Sequence, residues 1–147
     1  MTPSTSPQRV TLITLGVADL ARARAFYAAL GWTPHGEPPE GVVFYQMHGA
    51  VLALFGLGDL AEDQGRPGAA LGTGAMTLAQ NFATEAEVDA AFDAALAAGA
   101  TELKRPRKVF WGGYSGYYAD PDGHVWELAM NPFWPLSPDG SLTLPPA

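Results

Sequence analysis

Two stretches of this chain follow the same order of predicted elements, and this internal repeat restricts the possible folds more than any other feature. In the first stretch the apolar run Val10–Val17 predicts a buried strand, Asp19 caps a helix, and Gly31 stops it. In the second stretch Ala75–Phe82 predicts a strand, and Gly99 stops the helix that follows. We therefore expect two copies of one strand-helix-strands unit.

Each predicted helix is followed by further short strands. Thr84 and Glu87 have the spacing of a capping box, which marks where the second helix begins. Apolar runs bounded by turn residues predict strands at 42–47 and 51–55 in the first copy, and at 101–103, 114–119 and 124–130 in the second copy. Together these elements predict an α+β protein.

The composition excludes several classes of function. With 147 residues the chain fits one domain, and no apolar run is long enough to cross a membrane. It has no cysteine, so disulfides, thiolate metal sites and cysteine nucleophiles are excluded. The net charge of −7 argues against nucleic acid as a partner and suits neutral or cationic ligands. Met1–Gln8 resembles no secretory signal, so we expect a cytoplasmic protein.

Half of the basic residues lie together at Lys104–Lys108. A run of this kind is typical of a solvated strand edge, where charge discourages aggregation with other strands. The alternative is an anchor for an anionic ligand.

A tight turn near the end of the chain precedes a strand with one acidic residue. In Asp120–Gly123 the proline and the glycine favour a chain reversal. In the strand that follows, Glu127 shares a face with Val125 and Ala129. A carboxylate on a covered face needs a hydrogen bond, a cation or a metal. Glu127 is therefore either satisfied by tyrosine or threonine hydroxyls, exposed to solvent, or functional.

These residues resemble the vicinal oxygen chelate superfamily, which includes glyoxalase I, the extradiol dioxygenases and the bleomycin-resistance proteins. The resemblance rests on five segments and extends over residues 9–131: Leu15–Leu20, Ala25–Tyr27, Leu30–Trp32, Tyr118–Gly123 and Glu127–Leu128. It implies paired β-α-β-β-β modules that form a curved mixed sheet around a ligand cavity, commonly in a homodimer.

The resemblance also implies how the chain is divided. We expect a disordered N-terminus (1–8), a first βαβββ module (9–55), a linker (56–74), a second module (75–131) and a tail that packs on the body or on a partner chain (132–147).

The metal enzymes of this superfamily bind a divalent ion through His and Glu side chains on four strands. Aligned through the first helix, the corresponding positions here are Leu12, Ala53, Ala75 and Glu127. Only Glu127 can be a ligand, and one carboxylate does not hold a divalent ion tightly. We therefore expect no metal cofactor. His35, His48 and His124 have no shared ligand spacing, and we interpret them as turn or surface residues.

In the implied architecture an apolar cup with few polar groups would bind a small organic molecule. Glu127 is the candidate catalytic residue, and it is also one of eight candidate ligand-binding residues: Thr14, Phe55, Thr77, Trp111, Tyr114, Tyr118, Glu127 and Asn131. We also expect Trp111–Gly113 to permit a close approach to the backbone.

Three functions are compatible with this interpretation. The first is binding of a small molecule without a metal, as in the bleomycin-resistance proteins. The second is a metal-independent lyase or isomerase with Glu127 as general base. The third is a metal-dependent lyase or dioxygenase whose site has moved, with His48 or a residue of the partner as a further ligand. The sequence leaves open whether the protein is an enzyme.

Overall fold

The computed structural model describes residues 6–36 and 40–147, so the first five residues of the predicted disordered N-terminus lie outside the described part. In chain order the elements are β1 (Leu12–Val17), α1 (Leu20–Ala29), β2 (Val42–Gln46), β3 (Val51–Gly56), α2 (Leu57–Asp63), β4 (Thr77–Asn81), α3 (Glu85–Ala97), β5 (Thr101–Lys108), β6 (Tyr114–Ala119) and β7 (Val125–Met130). The chain is α+β, as predicted.

The strands form two mixed sheets. The first sheet has the order β1-β3-β2 and the second sheet has the order β4-β7-β6-β5. In each sheet the first strand of the unit pairs in parallel with the last one, while the other neighbours are antiparallel. The predicted repeat therefore exists as two sheets that share the parallel pairing of the first and last strands, and the second sheet has one more strand than the first.

The described part of the first unit has one strand fewer than the second unit. Its three strands are β1, β2 and β3. Within the described residues no strand lies between α1 and β2, and α2 begins directly after β3. Pro34 in the connection before β2 has no N–H to donate to a strand ladder. The segment 56–74, predicted as a linker, thus starts with a helix.

Both long helices begin where their caps were predicted. The side chain of Asp19 accepts from the backbone N–H of Arg22, and that of Thr84 accepts from the backbone N–H of Glu87. Each bond satisfies an N–H that has no partner within the helix. The inner faces of α1 and α3 then pack against both sheets in one core, with Tyr27, Leu54, Phe92 and Leu128 at most 1% exposed.

The Asp-Pro-Asp-Gly turn, residues 120–123, joins the second unit to α1. Asp120 is 3% exposed, and its Oδ1 accepts from the backbone N–H groups of Asp122 and His124, both at 2.9 Å. Its Oδ2 accepts from the Tyr27 hydroxyl at 2.6 Å, which in turn accepts from the Trp126 indole N–H at 3.1 Å. One buried carboxylate therefore satisfies three donors from two parts of the chain.

A second aspartate of the same turn holds the start of α1. Asp122 Oδ1 accepts from the backbone N–H of Ala18 at 2.8 Å and from Arg22 at 3.0 Å. The ring Nε2 of His124 lies 2.6 Å from the Gly16 carbonyl oxygen at the end of β1. The turn therefore fixes how the two units meet.

The tail, residues 132–147, contains no helix or strand. Leu136 lines a cavity together with Trp32, and the Phe133 ring lies against Gly112. Phe133 and Trp134 nevertheless remain 64% and 40% exposed. The structure thus places part of the tail on the body of its own chain.

The buried tyrosines make the stability of the fold sensitive to high pH. Burial, and next the charge of Asp120, raise the pKa of Tyr27 and of Tyr118 well above the ordinary value. Below about pH 10 these tyrosines are protonated in both the folded and the unfolded state, so they do not change stability. Above it the unfolded chain loses the protons first, so stability falls by up to about 1.4 kcal/mol per pH unit for each tyrosine.

Urea unfolding between pH 8 and pH 11 measures this loss. We expect a Tyr27→Phe variant, although less stable at pH 8, to lose less stability than the wild type between pH 9.5 and 11. Equal losses in the two proteins would contradict the assignment to Tyr27.

Candidate functional site

Glu127 lies on the side of the second sheet that faces away from the core. Its neighbours in β7, Trp126 and Leu128, are 4% and 1% exposed and belong to the core, whereas Glu127 is half-buried. Because side chains alternate along a strand, Glu127 points away from that core. The sequence correctly predicts this separation of faces.

We call this side of the second sheet the open face. The strand register groups its residues in three rows, and residues directly opposite on neighbouring strands share a face. The middle row is Lys104, Tyr117, Glu127 and Ala79; the rows beside it are Arg107, Ser115, Ala129 and Asn81, and Thr101, Ala119, Val125 and Thr77. On the two central strands, β6 and β7, most of these residues have small side chains, and Glu127 and Tyr117 are the largest.

Tyr117 stands directly opposite Glu127 on the neighbouring strand β6. Burial, followed by the charge of the Glu127 carboxylate and a side-chain hydrogen bond with it, raises the pKa of Tyr117. A neutral phenol donates to a carboxylate acceptor, so the pair consists of one donor and one acceptor. The sequence predicts a tyrosine hydroxyl as one possible partner of Glu127. The tyrosines among the predicted ligand-binding residues are, however, Tyr114 and Tyr118 and not Tyr117.

Tyr114 and Tyr118 lie on the opposite face from Glu127, which corrects their prediction as ligand-binding residues beside it. Tyr118 is 1% exposed and stacks on Trp126 in the core, with ring centroids 6.5 Å apart. The Tyr114 hydroxyl donates to Asp89 of α3 at 2.7 Å. The reason is the register of β6, in which Tyr117 and not its neighbours stands opposite Glu127.

The other predicted ligand-binding residues are spread over three regions. Thr77 is exposed on the open face, opposite Val125. Thr14 and Phe55 belong to the first sheet, and Asn131 Oδ1 accepts from the backbone N–H of Phe133 in the turn that begins the tail. The structure therefore brings only part of the predicted set together.

Trp111 lies at the edge of the open face. A side chain at Gly113 would overlap its ring and would come within 2.7 Å of the Met130 carbonyl oxygen. Gly113 therefore permits the close approach to the backbone that the sequence predicts. The half-buried indole remains available at the rim.

The basic run divides between the two sides of β5, an edge strand of its sheet. Arg105 pairs with Glu102 and Asp93, and Lys108 pairs with Glu85. Lys104 and Arg107 stand opposite residues of the open face, and within the described part of the chain neither forms an ion pair. The charge around Glu127 is thus mixed and not purely acidic.

The residues present do not fit the divalent metal of the superfamily. Thr14 is opposite Ala53 in the first sheet, and Ala79 is opposite Glu127 in the second, so Thr14 and Ala79 occupy equivalent positions. Two residues earlier in each strand lie Leu12 and Thr77. Leu12 therefore corresponds to Thr77 and not to Ala75. This corrects the predicted third position, because Ala75 precedes β4. The set still has one carboxylate, and the described residues contain no cluster of three His, Cys, Asp or Glu side chains suited to a metal.

Two cavities lie near β4, and neither is lined by Glu127. The first cavity, of about 460 Å³, lies between β1, α2, the residues after α2 and the start of β7. The second cavity, of about 880 Å³, lies between Trp32, the end of β2, the end of β4 and the tail. Of the predicted ligand-binding residues only Thr14 lines one of them.

Within residues 6–36 and 40–147 no helix is long and apolar enough to cross a membrane.

Comparison with known proteins adds family relationships to this geometry. The family model described as Glyoxalase/Bleomycin resistance protein/Dioxygenase superfamily matches residues 9–128. No curated protein matches the chain.

Solved structures match the chain over most of its length. The crystal structure of a glyoxalase-related enzyme from Fulvimarina pelagi is 43% identical, with a TM-score of 0.84, and the match covers 94% of this chain and 99% of that chain. Lactoylglutathione lyase from Agrobacterium tumefaciens is 25% identical, with a TM-score of 0.66, and the match covers 90% and 100% of the two chains. A glyoxalase/bleomycin resistance protein/dioxygenase family enzyme from Burkholderia phytofirmans PsJN, at 18% identity, a TM-score of 0.74 and coverage of 83% and 98%, shares the fold.

Proposed function

We propose that the chain, which belongs to the glyoxalase/bleomycin resistance protein/dioxygenase superfamily, binds a small organic molecule on its open face without a divalent metal. One observation carries the proposal. Glu127 stands on that face directly opposite Tyr117, while the three other positions of the superfamily's metal site are occupied by Leu12, Ala53 and Thr77, which are not metal ligands. A carboxylate paired with a phenol binds and orients an organic ligand through hydrogen bonds and needs no metal.

The rest of the open face supports the same use. Ala79, Ser115 and Ala129, which stand beside Glu127 on this face, have small side chains. The Trp111 indole at the rim offers an apolar surface for stacking. Lys104 offers a cation at the end of the Glu127 row. The homodimer expected from the resemblance stays a prediction; a second copy over this face would enclose the ligand.

A metal-independent lyase or isomerase is the second candidate function. It is favoured by the Glu127–Tyr117 pair, because a carboxylate can remove a proton from a carbon next to a carbonyl while the neighbouring phenol holds the oxygen. The 43% identical protein from Fulvimarina pelagi is described as a glyoxalase-related enzyme, which supports catalysis in this part of the family.

A thermal-shift screen with controlled metal content tests the proposal. Protein treated with EDTA is screened against small organic metabolites, alone and with added zinc, nickel, manganese or iron(II). We expect ligands that raise the melting temperature equally with and without metal. The contrary result is stoichiometric metal in the purified protein together with ligands that stabilise only the metal-loaded form. That result would support the third function, a metal-dependent lyase or dioxygenase with a moved site.

A further inference from the structure

We propose that the first cavity is a second binding site, which takes a small amphipathic organic anion such as a carboxylate or sulfonate. The cavity lies between the two units, and residues that follow α2 form one of its walls. Of the open-face residues only Val125 lines this cavity, and neither Glu127 nor Tyr117 does. The inference therefore stands independently of the function proposed for Glu127.

The charge of the cavity wall selects the ligand. Arg66 is the one permanently charged side chain that lines the cavity, and no Asp or Glu lines it, although the chain has a net charge of −7. Within the described residues Arg66 forms no ion pair with an acid. The hydroxyls of Thr14 and Thr73 and the imidazole of His124 line the same space. An arginine with hydroxyl neighbours and no competing carboxylate suits an anionic head group.

Arg66 is held in place by the end of α2. Gly65 has a φ of 76°, the backbone N–H of Gly65 donates to the Glu62 carbonyl, and that of Arg66 donates to the Ala61 carbonyl. These are the two bonds of a Schellman motif, which reverses the chain after a helix. The guanidinium is oriented further by the side-chain oxygen of Gln64, which accepts from its Nε at 3.0 Å. The Arg66 side chain is itself exposed, so an anion from solution can reach its guanidinium.

The remaining wall suits the apolar part of such an anion. Its large side chains are aliphatic: Leu57, Leu60, Leu71, Met76 and Leu78. A volume of about 460 Å³ lies within the usual range for sites of small organic ligands. Thr73 packs against Gly123, where an added Cβ would lie 2.9 Å from the threonine oxygen, so this wall is fixed to the Asp-Pro-Asp-Gly turn.

Two fluorescent probes of similar shape and different charge test the inference. The anionic probe is 8-anilinonaphthalene-1-sulfonate, and the neutral probe is N-phenyl-1-naphthylamine. We expect the folded wild type to bind the anionic probe at one saturable site. In the Arg66→Gln variant the affinity for the anionic probe should fall by about tenfold or more, because a charge-assisted hydrogen bond is lost. The affinity for the neutral probe should change by less than about twofold.

Matched variants complete the test. Arg24→Gln changes the net charge equally but lies on the exposed surface of α1, so both affinities should stay within about twofold. Ala75→Phe, which adds bulk to the cavity wall, should lower the affinity for both probes. The inference is overturned if the wild type does not bind the anionic probe, if Arg66→Gln and Arg24→Gln have equal effects, or if Arg66→Gln weakens both probes equally.

Discussion

Replacing Asp120 by alanine is expected to destabilise the folded chain by about 3–5 kcal/mol, because one buried residue is the acceptor of three hydrogen bonds. Two backbone N–H groups and the Tyr27 hydroxyl donate hydrogen bonds to Asp120. In the variant all three donors lose this acceptor. Each donor left buried and unsatisfied costs about 1–3 kcal/mol. The loss also removes one of the bonds between α1 and the second unit, because Tyr27 lies on that helix.

Chemical denaturation of purified variants measures this cost. Asp93→Ala is a matched control, since its carboxylate is 70% exposed and its single ion pair, with Arg105, is 3.9 Å long. We expect that control to change the free energy of unfolding by no more than about 0.5 kcal/mol. Tyr27→Phe, which keeps the two backbone bonds of Asp120, should cost about 1–2 kcal/mol. A cost for Asp120→Ala close to that of the control would contradict the role of the turn.

Replacing Glu127 by glutamine is expected to lower the affinity for a ligand found in the thermal-shift screen by about tenfold or more, while the fold stays intact. The substitution keeps the size of the side chain and removes the charge that accepts hydrogen bonds most strongly. Glu127 is half-buried and outside the core, so the melting temperature should change little. Isothermal titration calorimetry of both proteins gives the affinities.

Two further variants separate binding from catalysis. Glu62→Gln has the same change of charge on the exposed side of α2 and should leave the affinity unchanged. Tyr117→Phe removes the phenol donor of the pair and should weaken the ligand by a smaller factor than Glu127→Gln does. If the protein is an enzyme with Glu127 as general base, turnover should fall by about 10²–10⁴-fold in Glu127→Gln while binding persists. Unchanged binding and unchanged turnover in Glu127→Gln would contradict both proposed functions.

Helix positions and the alternation of faces could be predicted from the sequence because they depend on residues close together in the chain. Asp19 and Thr84 bond to N–H groups three residues away, so their capping role follows from spacing alone. The placement of Glu127 away from Trp126 and Leu128 follows from the alternation of side chains along one strand.

The position of the tyrosines and the role of the turn required the tertiary structure. Which tyrosine stands opposite Glu127 depends on the register between β6 and β7, and a shift of one residue would exchange Tyr117 for its neighbours. The Asp-Pro-Asp-Gly sequence predicts a turn, but its bonds to Tyr27 and Ala18 connect residues about a hundred positions apart. No local pattern encodes a bond of that length.

The sequence by itself determined the repeated strand-helix-strands plan, the family resemblance and the single carboxylate among the expected metal positions. The tertiary structure alone decided that Tyr117 stands opposite Glu127, that Asp120 joins the two units, and that Arg66 lines a cavity that no acidic residue lines. The physical reason is the range of the interactions. Backbone preferences and caps act within one turn of helix or one strand, whereas a site is formed by side chains that only strand pairing and core packing bring together.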